Sequence, residues 1–173
     1  MHHAHFGDLP SGKLSILLPS QASAVLDLFE RCRDYFLLQD GEPAAAADAD
    51  ELFADVPSTK VPDDQFVIGC WQGEKLAGLA ALLMDYPGKA DWYLGFFLVD
   101  PAARGRGLGR TFYAAIERWS AEQGAKRMML SVIEANVPAL QFWRSLGFEL
   151  VRTVEATKFK QKLHVRQELA RKL

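Results

Sequence analysis

The stretch that decides the fold is VDPAARGRGLGR, residues 99–110. It follows the apolar run WYLGFFLV, residues 92–99, and precedes TFYAAIERWSAEQG, residues 111–124, whose apolar residues recur at helical spacing. Glycines let a backbone turn tightly and approach a ligand closely. A helix start adds unpaired N–H groups and a positive dipole end, and arginines add charge. The stretch therefore predicts a phosphate-binding loop between a strand and a helix.

Two common phosphate motifs do not fit this loop. No Lys-Ser or Lys-Thr pair follows the glycines, so the magnesium–triphosphate loop is not indicated. The dinucleotide pattern GxGxxG also fails, because the glycines alternate and Thr111 and Phe112 stand where a later glycine is needed. The alternative to a phosphate site is a glycine-rich turn with surface arginines.

Composition places the chain among ordinary globular proteins. Of its 173 residues, 49% are hydrophobic and 24% are charged, so we expect one domain over residues 13–173 after a flexible N-terminus at residues 1–12. A net charge of −2 argues against a nucleic-acid partner. No apolar run is long enough to span a membrane, and the N-terminus lacks the features of a signal peptide, which predicts a cytoplasmic location.

No metal site is predicted. His2, His3 and His5 could bind a metal adventitiously, but a disordered chain start is the preferred interpretation. Cys32 and Cys70 lack the spacing of metal ligands, so we interpret both as buried thiols in a reduced compartment.

The order of predicted elements indicates a mixed α/β fold. After a first strand, a helix capped by Ser20 is predicted to run to Gln39, and a second helix from Pro43 to Pro57. One helix follows the glycine loop, and another starts near Val137. The predicted strands are residues 13–19, 65–71, 76–85, 91–99, 127–133, 148–156 and 163–169. This order predicts a mixed, mostly antiparallel sheet of six to seven strands with helices on both faces.

Two segments resemble the GNAT superfamily of N-acetyltransferases. VDPAARGRGLGR is similar to the motif R/Q-x-x-G-x-G/A through Arg104, Gly107 and Gly109. NVPALQFWRSLGFE, residues 136–149, resembles the later segment N-x-x-A-xx-F-Y-xxx-G-F. Its matching residues are Asn136, Ala139, Phe142, Gly147 and Phe148. The resemblance covers about residues 13–169 and predicts a GNAT-like fold.

The resemblance implies acetyl-coenzyme A as co-substrate and an unidentified primary amine, on a small molecule or a protein, as the acceptor that attacks directly. The loop residues implied to hold the pyrophosphate are Arg104, Gly105, Arg106, Gly107, Leu108, Gly109 and Arg110. The strand before the loop is expected to carry a bulge and to splay from its neighbour. Its end, at Phe97, Leu98 and Val99, is expected to pair with the pantetheine arm and to polarise the thioester carbonyl through a backbone N–H. Asn136 and Phe142 are expected beside the cofactor.

One departure from the family concerns proton transfer. Trp143 stands where the family has a tyrosine, and an indole N–H does not serve as a general acid near neutral pH. The remaining phenols considered are Tyr35, Tyr86 and Tyr93. Candidates for the catalytic base are Asp91, Tyr93 and Glu134. A non-catalytic acyl-coenzyme A sensor of the same fold is therefore the alternative function.

Charge along the chain is uneven. From Gln21 to Asp64 there are eleven acids and three bases, whereas from Pro101 to Leu173 there are six acids and fourteen bases. We expect the acidic part, including Asp34, Asp40 and Asp48, to shape an acceptor pocket for a cationic amine. Exposed strand edges would also permit a homodimer.

Overall fold

The computed structural model describes residue 6, residues 9–10 and residues 12–173. The predicted flexible start, with His2, His3 and His5, therefore lies largely outside the described residues. The strands are β1 Lys13–Ile16, β2 Gln65–Gln72, β3 Lys75–Leu83, β4 Asp91–Val99, β5 Arg127–Ile133, β6 Glu149–Phe159 and β7 Lys162–Lys172. The helices are α1 Ala22–Arg31, α2 Arg33–Gln39, α3 Ala46–Glu51, α4 Leu108–Glu122 and α5 Val137–Ser145.

All seven strands form one sheet in the order β1-β2-β3-β4-β5-β7-β6. Only β4 and β5 pair in parallel, and every other neighbouring pair is antiparallel. The parallel pair requires a crossover, which α4 supplies. The predicted mixed, mostly antiparallel sheet is confirmed, with β1 and β6 as its edge strands.

Helices cover both faces of the sheet, as predicted. On one face α4 and α5 bury an aromatic-rich core in which the Trp92 and Trp119 rings meet edge to face at 5.5 Å. On the other face α1, α2 and α3 pack around Phe29 and Leu28, both almost fully buried. Successive strand residues alternate between these cores, so Val67 faces one and Ile68 the other.

Three predictions about the helices before β2 differ from the structure. The first predicted helix is broken at Cys32, whose ψ of 32° ends α1 and begins α2. Ser20 is not a helix cap, because it lies in a 3-10 turn and Gln21 occupies the N-cap of α1. The helix predicted over residues 43–57 is wrong in extent. Only Ala46–Glu51 is α-helical, since the alanines favour a helix but bury a single residue, Ala49.

Candidate functional site

The glycine loop leaves β4 through a 3-10 turn at Pro101–Ala103 and enters α4 at Leu108. Gly105 has φ +71° and Gly107 has φ +86°, a left-handed conformation that other residues adopt at a cost. A Cβ added at either position would meet nothing within 4 Å. Glycine is therefore required by the backbone conformation, and the loop surface is left open to a ligand.

The start of α4 presents donors toward this surface. Thr111 N–H donates to the Gly107 carbonyl at 3.1 Å and closes the first turn. The N–H groups of Leu108, Gly109 and Arg110 precede that bond and have no acceptor within the helix. An anion at this helix N-terminus would receive these hydrogen bonds together with the positive end of the helix dipole.

Ion pairs hold the loop to the rest of the fold. The Asp100 carboxylate, only 2% exposed, accepts hydrogen bonds from Arg31 Nε at 2.7 Å and from Ala102 N–H at 2.9 Å. Lys75 Nζ lies 2.8 Å from the same carboxylate. Burial disfavours the charged carboxylate and acts to raise its pKa, but these contacts outweigh burial and lower the pKa of Asp100 to about 2.

The three predicted loop arginines differ in what they contact. Arg104 donates to the Val99 carbonyl at 2.9 Å and forms an ion pair with Asp34 of α2. Arg110 Nη2 donates to Ser145 Oγ at 3.0 Å. Arg106 is exposed. The guanidinium of Arg104 is thus already engaged by protein groups, whereas that of Arg106 is open to solvent.

Strand β4 carries a bulge and then leaves β5. Leu82 faces Leu94 and Ala81 faces Phe96 across the β3–β4 pair, so Gly95 is the extra residue. Pairing with β5 stops at Leu94, after which β5 continues beside β7 alone. The bulge and the splay expected before the glycine loop are both present, and the β5-facing edge of residues 95–99 is open.

A cavity of about 190 Å³ occupies the splay. It lies between Phe97 of β4 and Val132 of β5 and is bounded by Asn136 and Trp143. The Asn136 side chain caps α5 by accepting from Ala139 N–H at 3.2 Å. The ring centre of Phe142, in α5, lies 6.1 Å from that of Phe97, and the Phe142 ring would be 3.5 Å from a Cβ added at Gly109 of the loop.

A larger cavity of about 660 Å³ lies on the face covered by α1, α2 and α3. Its carboxylates are those of Asp40, Asp48, Glu51, Asp55 and Glu168. The two cavities share five lining residues, and we call the place where they meet the junction. These residues are Gln39, Tyr93, Gly95, Phe96 and Arg166. The bulge glycine therefore lies at the boundary of both cavities.

The structure does not bring the three candidate bases together. Tyr93 lies at the junction, where burial, and to a lesser extent the charge of Glu168, raises the pKa of its phenol. Asp91 forms a two-pronged pair with Arg127, at 2.8 and 2.6 Å, and lines neither cavity. Glu134 is exposed and accepts from Gln167 Nε2 at 3.1 Å. Only Tyr93 is placed to meet a ligand.

The other aromatic candidates have different surroundings. Tyr35 donates its hydroxyl to Gln39 Oε1 at 2.7 Å, and burial raises the pKa of its phenol. The Tyr86 ring meets Tyr93 edge to face at 5.7 Å. Trp143 is buried at 5% exposure among aromatic rings and borders the smaller cavity. Its surroundings are those of a packing residue.

Sequence reasoning missed three charged residues of the larger cavity, namely Arg152 of β6 and Arg166 and Glu168 of β7. Glu168 is paired with Arg152 at 3.1 Å. The alternation of His164, Arg166 and Glu168 along β7 signalled a polar strand face. Their approach to β4 depends on the sheet order β4-β5-β7, which no local pattern reveals.

The acidic residues predicted for an acceptor pocket divide into two groups. Asp40 and Asp48 line the larger cavity, whereas Asp34 does not and pairs with Arg104 instead. Burial raises the pKa of Asp40. Burial acts in the same direction on Asp48, but hydrogen bonds from Lys160 and Ala45 N–H outweigh it and lower the pKa of that carboxyl.

Membrane-spanning helices and metal-ligating clusters are both absent from the described part of the chain. No helix there is both long and apolar enough to cross a membrane. No group of three or more His, Cys, Asp or Glu side chains in residues 6, 9–10 and 12–173 is arranged to hold a metal ion.

Comparison with known proteins identifies the relatives of this architecture. Two curated relatives are mycothiol acetyltransferases. The one from Saccharomonospora viridis is 42% identical over 55 residues, which are 32% of this chain and 18% of the relative. The one from Catenulispora acidiphila is 35% identical over 82 residues, which are 45% of this chain and 26% of the relative. The matches thus span well under a third of each relative's length.

Solved structures match over nearly the whole chain. An acetyltransferase from Thermus thermophilus has a TM-score of 0.73 at 24% identity, covering 94% of this chain and 97% of that one. A GNAT-family acetyltransferase from Streptococcus pneumoniae has a TM-score of 0.70 at 15% identity, covering 94% and 99%. These identities establish a shared fold. The model of the acetyltransferase (GNAT) family matches residues 23–148, most of the chain, and the protein therefore belongs to the GNAT family of acetyltransferases.

Proposed function

We propose that this protein is an N-acetyltransferase that moves the acetyl group of acetyl-coenzyme A to a primary amine by direct attack. The main observation in support of this proposal is the junction between the two cavities. The splay of β4 from β5 opens a narrow cavity that meets a wider one at the Gly95 bulge. Two ligands entering from the two sides would meet there, as direct transfer requires.

The chain's own groups fit the co-substrate. Gly105 and Gly107 leave an open backbone surface, and the α4 N-terminus offers N–H donors that suit a pyrophosphate. Arg104, Arg106 and Arg110, all exposed, add positive charge around that surface. The open edge of Phe97, Leu98 and Val99 is free to pair with an amide-bearing arm. Asn136 and Phe142 would border that arm.

Acetyl-coenzyme A supplies an activated acetyl thioester when it is bound. A backbone N–H near the Gly95 bulge would polarise the carbonyl of that thioester. Tyr93 would donate a hydrogen bond to the leaving sulfur, because a phenol is protonated at neutral pH and burial raises the pKa of this one further. Asp91 is paired with Arg127 and lines neither cavity, so no part in the transfer is proposed for it. The amine proton would leave through the wider cavity.

The acceptor proposed for the wider cavity is a cationic amine. Asp40, Asp48, Glu51 and Asp55 line it on the helical side and would attract an ammonium group. A test replaces Asp40 and Asp48 by asparagine, with exposed Glu30→Gln as the control outside the cavity. The acceptor KM should rise in the first two variants. An unchanged KM would exclude charge selection by this wall.

The first experiment is a thermal-shift titration with acetyl-coenzyme A, using ATP and NAD as controls. Ligand at a hundred times its Kd adds about 2.7 kcal/mol to the free energy of unfolding. A rise in Tm with acetyl-coenzyme A alone supports the proposal. An equal rise with ATP, or none, contradicts it. Thiol release measured over a panel of amines follows, and release with any amine excludes the non-catalytic sensor.

A further inference from the structure

Arg166 is a cation at the junction without a carboxylate partner among the described residues. Its Nη2 donates to Thr157 Oγ1 at a long 3.4 Å, and its guanidinium lies 5.8 Å from the centre of the Phe159 ring. Its Nε is buried and has no hydrogen-bond partner in the described part of the chain. Arg166 as a whole is half-buried, and an unpartnered buried N–H on a cation is costly unless a ligand supplies an acceptor or a negative charge.

The backbone register fixes where this cation stands. Arg166 lies opposite Ile133, in the part of β5 that has already left β4. It therefore flanks the cleft on the side away from the Gly95 bulge and lines both cavities. Its charge also reaches Tyr93: burial raises the pKa of that phenol, and Arg166 acts in the opposite direction.

The other charges around the cleft do not neutralise Arg166 directly. Glu168 is held by Arg152. Asp40 accepts a hydrogen bond from Gln39 Nε2 at 3.3 Å and makes no ion pair with Arg166 among the described residues. The remaining titratable side chains lining the two cavities are Tyr35, Asp48, Glu51, Asp55, Tyr86 and Tyr93.

Resting on the proposed function, we infer that Arg166 binds the sulfur of coenzyme A and stabilises the thiolate that acetyl transfer releases. In the transfer the amine nitrogen bonds to the carbonyl carbon, the carbon–sulfur bond breaks, and its electron pair goes to the sulfur. The amine proton leaves to solvent. Arg166 supplies positive charge and N–H donors to the sulfur and takes no part in the proton transfer.

This assignment explains how the chain can function with Trp143 at the family's tyrosine position. An indole cannot protonate the sulfur, but a nearby fixed cation lowers the pKa of a thiol and makes its thiolate a better leaving group. Arg166 and Trp143 border the same cavity, on β7 and α5 respectively. The charge of one therefore compensates for the missing acid at the other.

The test measures binding rather than turnover. The dissociation constants of coenzyme A and of acetyl-coenzyme A, which has no free thiol, are measured by calorimetry between pH 6.5 and 9.5. A free thiol has a pKa of about 8.5, and each unit by which binding lowers it gives roughly tenfold tighter binding. Coenzyme A should therefore bind more tightly, relative to acetyl-coenzyme A, as the pH rises to that value.

Three variants complete the test. Arg166→Met should abolish the pH-dependent tightening of coenzyme A binding. Arg166→Lys should retain most of that tightening, because the positive charge is kept. Arg144→Met is the matched control, since Arg144 is exposed on α5, bonds to Gln167 and lines neither cavity. Circular dichroism checks the fold of each variant.

Each outcome decides one question. If the pH-dependent tightening of coenzyme A binding is absent from the wild type, or is unchanged in Arg166→Met, the proposed role of Arg166 is wrong. The proposed binding of acetyl-coenzyme A is not affected by that result. If Arg166→Met does not fold, the wild-type comparison of the two ligands and the Arg166→Lys variant still decide. Failure of both ligands to bind overturns the proposed function, and this inference with it.

Discussion

Arg31 of α1 donates its Nε to the buried carboxylate of Asp100, the first residue after β4, at 2.7 Å. A second pair runs in the opposite sense, because Arg104 of the loop reaches Asp34 of α2. In the first pair the helix residue is the cation and the loop residue the anion, and in the second pair the charges are reversed. Since α2 also borders the wider cavity, the same helix contacts the glycine loop and lines the proposed acceptor cavity.

Asp100→Asn should destabilise the fold by about 1–3 kcal/mol at pH 7, because Arg31 and Lys75 lose a buried charged acceptor. The folded pKa of Asp100 is about 2, below its ordinary 3.8. Its stabilisation is therefore complete above pH 4 and is lost as the pH falls toward 2. Urea unfolding of the wild type and of Asp100→Asn should show the difference in their free energies of unfolding becoming smaller over that pH range. A constant difference, or one as small as that of exposed Glu30→Gln, would contradict this account.

Gly107→Ala should impair both folding and binding. A Cβ at φ +86° costs roughly 1–2 kcal/mol. It would also displace a backbone that must approach the pyrophosphate, and a lost charged hydrogen bond of about 1.5 kcal/mol weakens binding roughly tenfold. Gly124→Ala is the matched control, since Gly124 has φ +100° and equally open surroundings at the far end of α4. Its stability should fall similarly while its affinity for acetyl-coenzyme A is unchanged. Equal binding losses in both variants would contradict a role for the loop.

Asp34→Asn should bind acetyl-coenzyme A more tightly, by a few-fold, at low salt. The change removes a negative charge beside the loop and frees Arg104, and exposed ion pairs have coupling energies of about 0.2–1 kcal/mol. The gain should shrink as salt is added. Calorimetry at two salt concentrations measures it, with exposed Glu30→Gln as control. Weaker binding would mean that Asp34 holds the loop in its binding conformation.

Features set by residues that are close together in the chain can be predicted from the sequence, whereas contacts between distant residues cannot. The strand before the loop, the helix after it and the helix that starts near Val137 follow from periodicity and turn chemistry, which act over a few residues. The break at Cys32 does not, because α1 and α2 continue one apolar pattern. The junction is also out of reach of local patterns. Arg166 is 73 positions from Tyr93 in the numbering, and only the order β4-β5-β7 brings the two together.

Trp143→Phe should lower stability without lowering the rate of thiol release. Trp143 packs against the rings of Phe97, Tyr113, Phe142 and Phe148. A smaller ring leaves a cavity there, and we expect a loss of about 1–2 kcal/mol in the free energy of unfolding. Denaturant unfolding and kcat with an acceptor from the amine panel check the two parts. A large fall in kcat at full stability would give the indole a role in the reaction.

Tyr93→Phe should lower kcat by roughly 10–100-fold and leave the KM for acetyl-coenzyme A nearly unchanged, because the hydroxyl is needed only when the sulfur becomes negative. Burial raises the pKa of this phenol, so its ionisation should not reduce wild-type activity below about pH 10. Tyr86→Phe is the control, since Tyr86 touches the Tyr93 ring and lines the wider cavity but not the junction. Steady-state kinetics of both variants from pH 6.5 to 9.5 measure the effect. Equal kcat values for Tyr93→Phe and the wild type would mean that the thiolate leaves without a phenol, and Arg166 would then be the remaining group at the junction able to stabilise it.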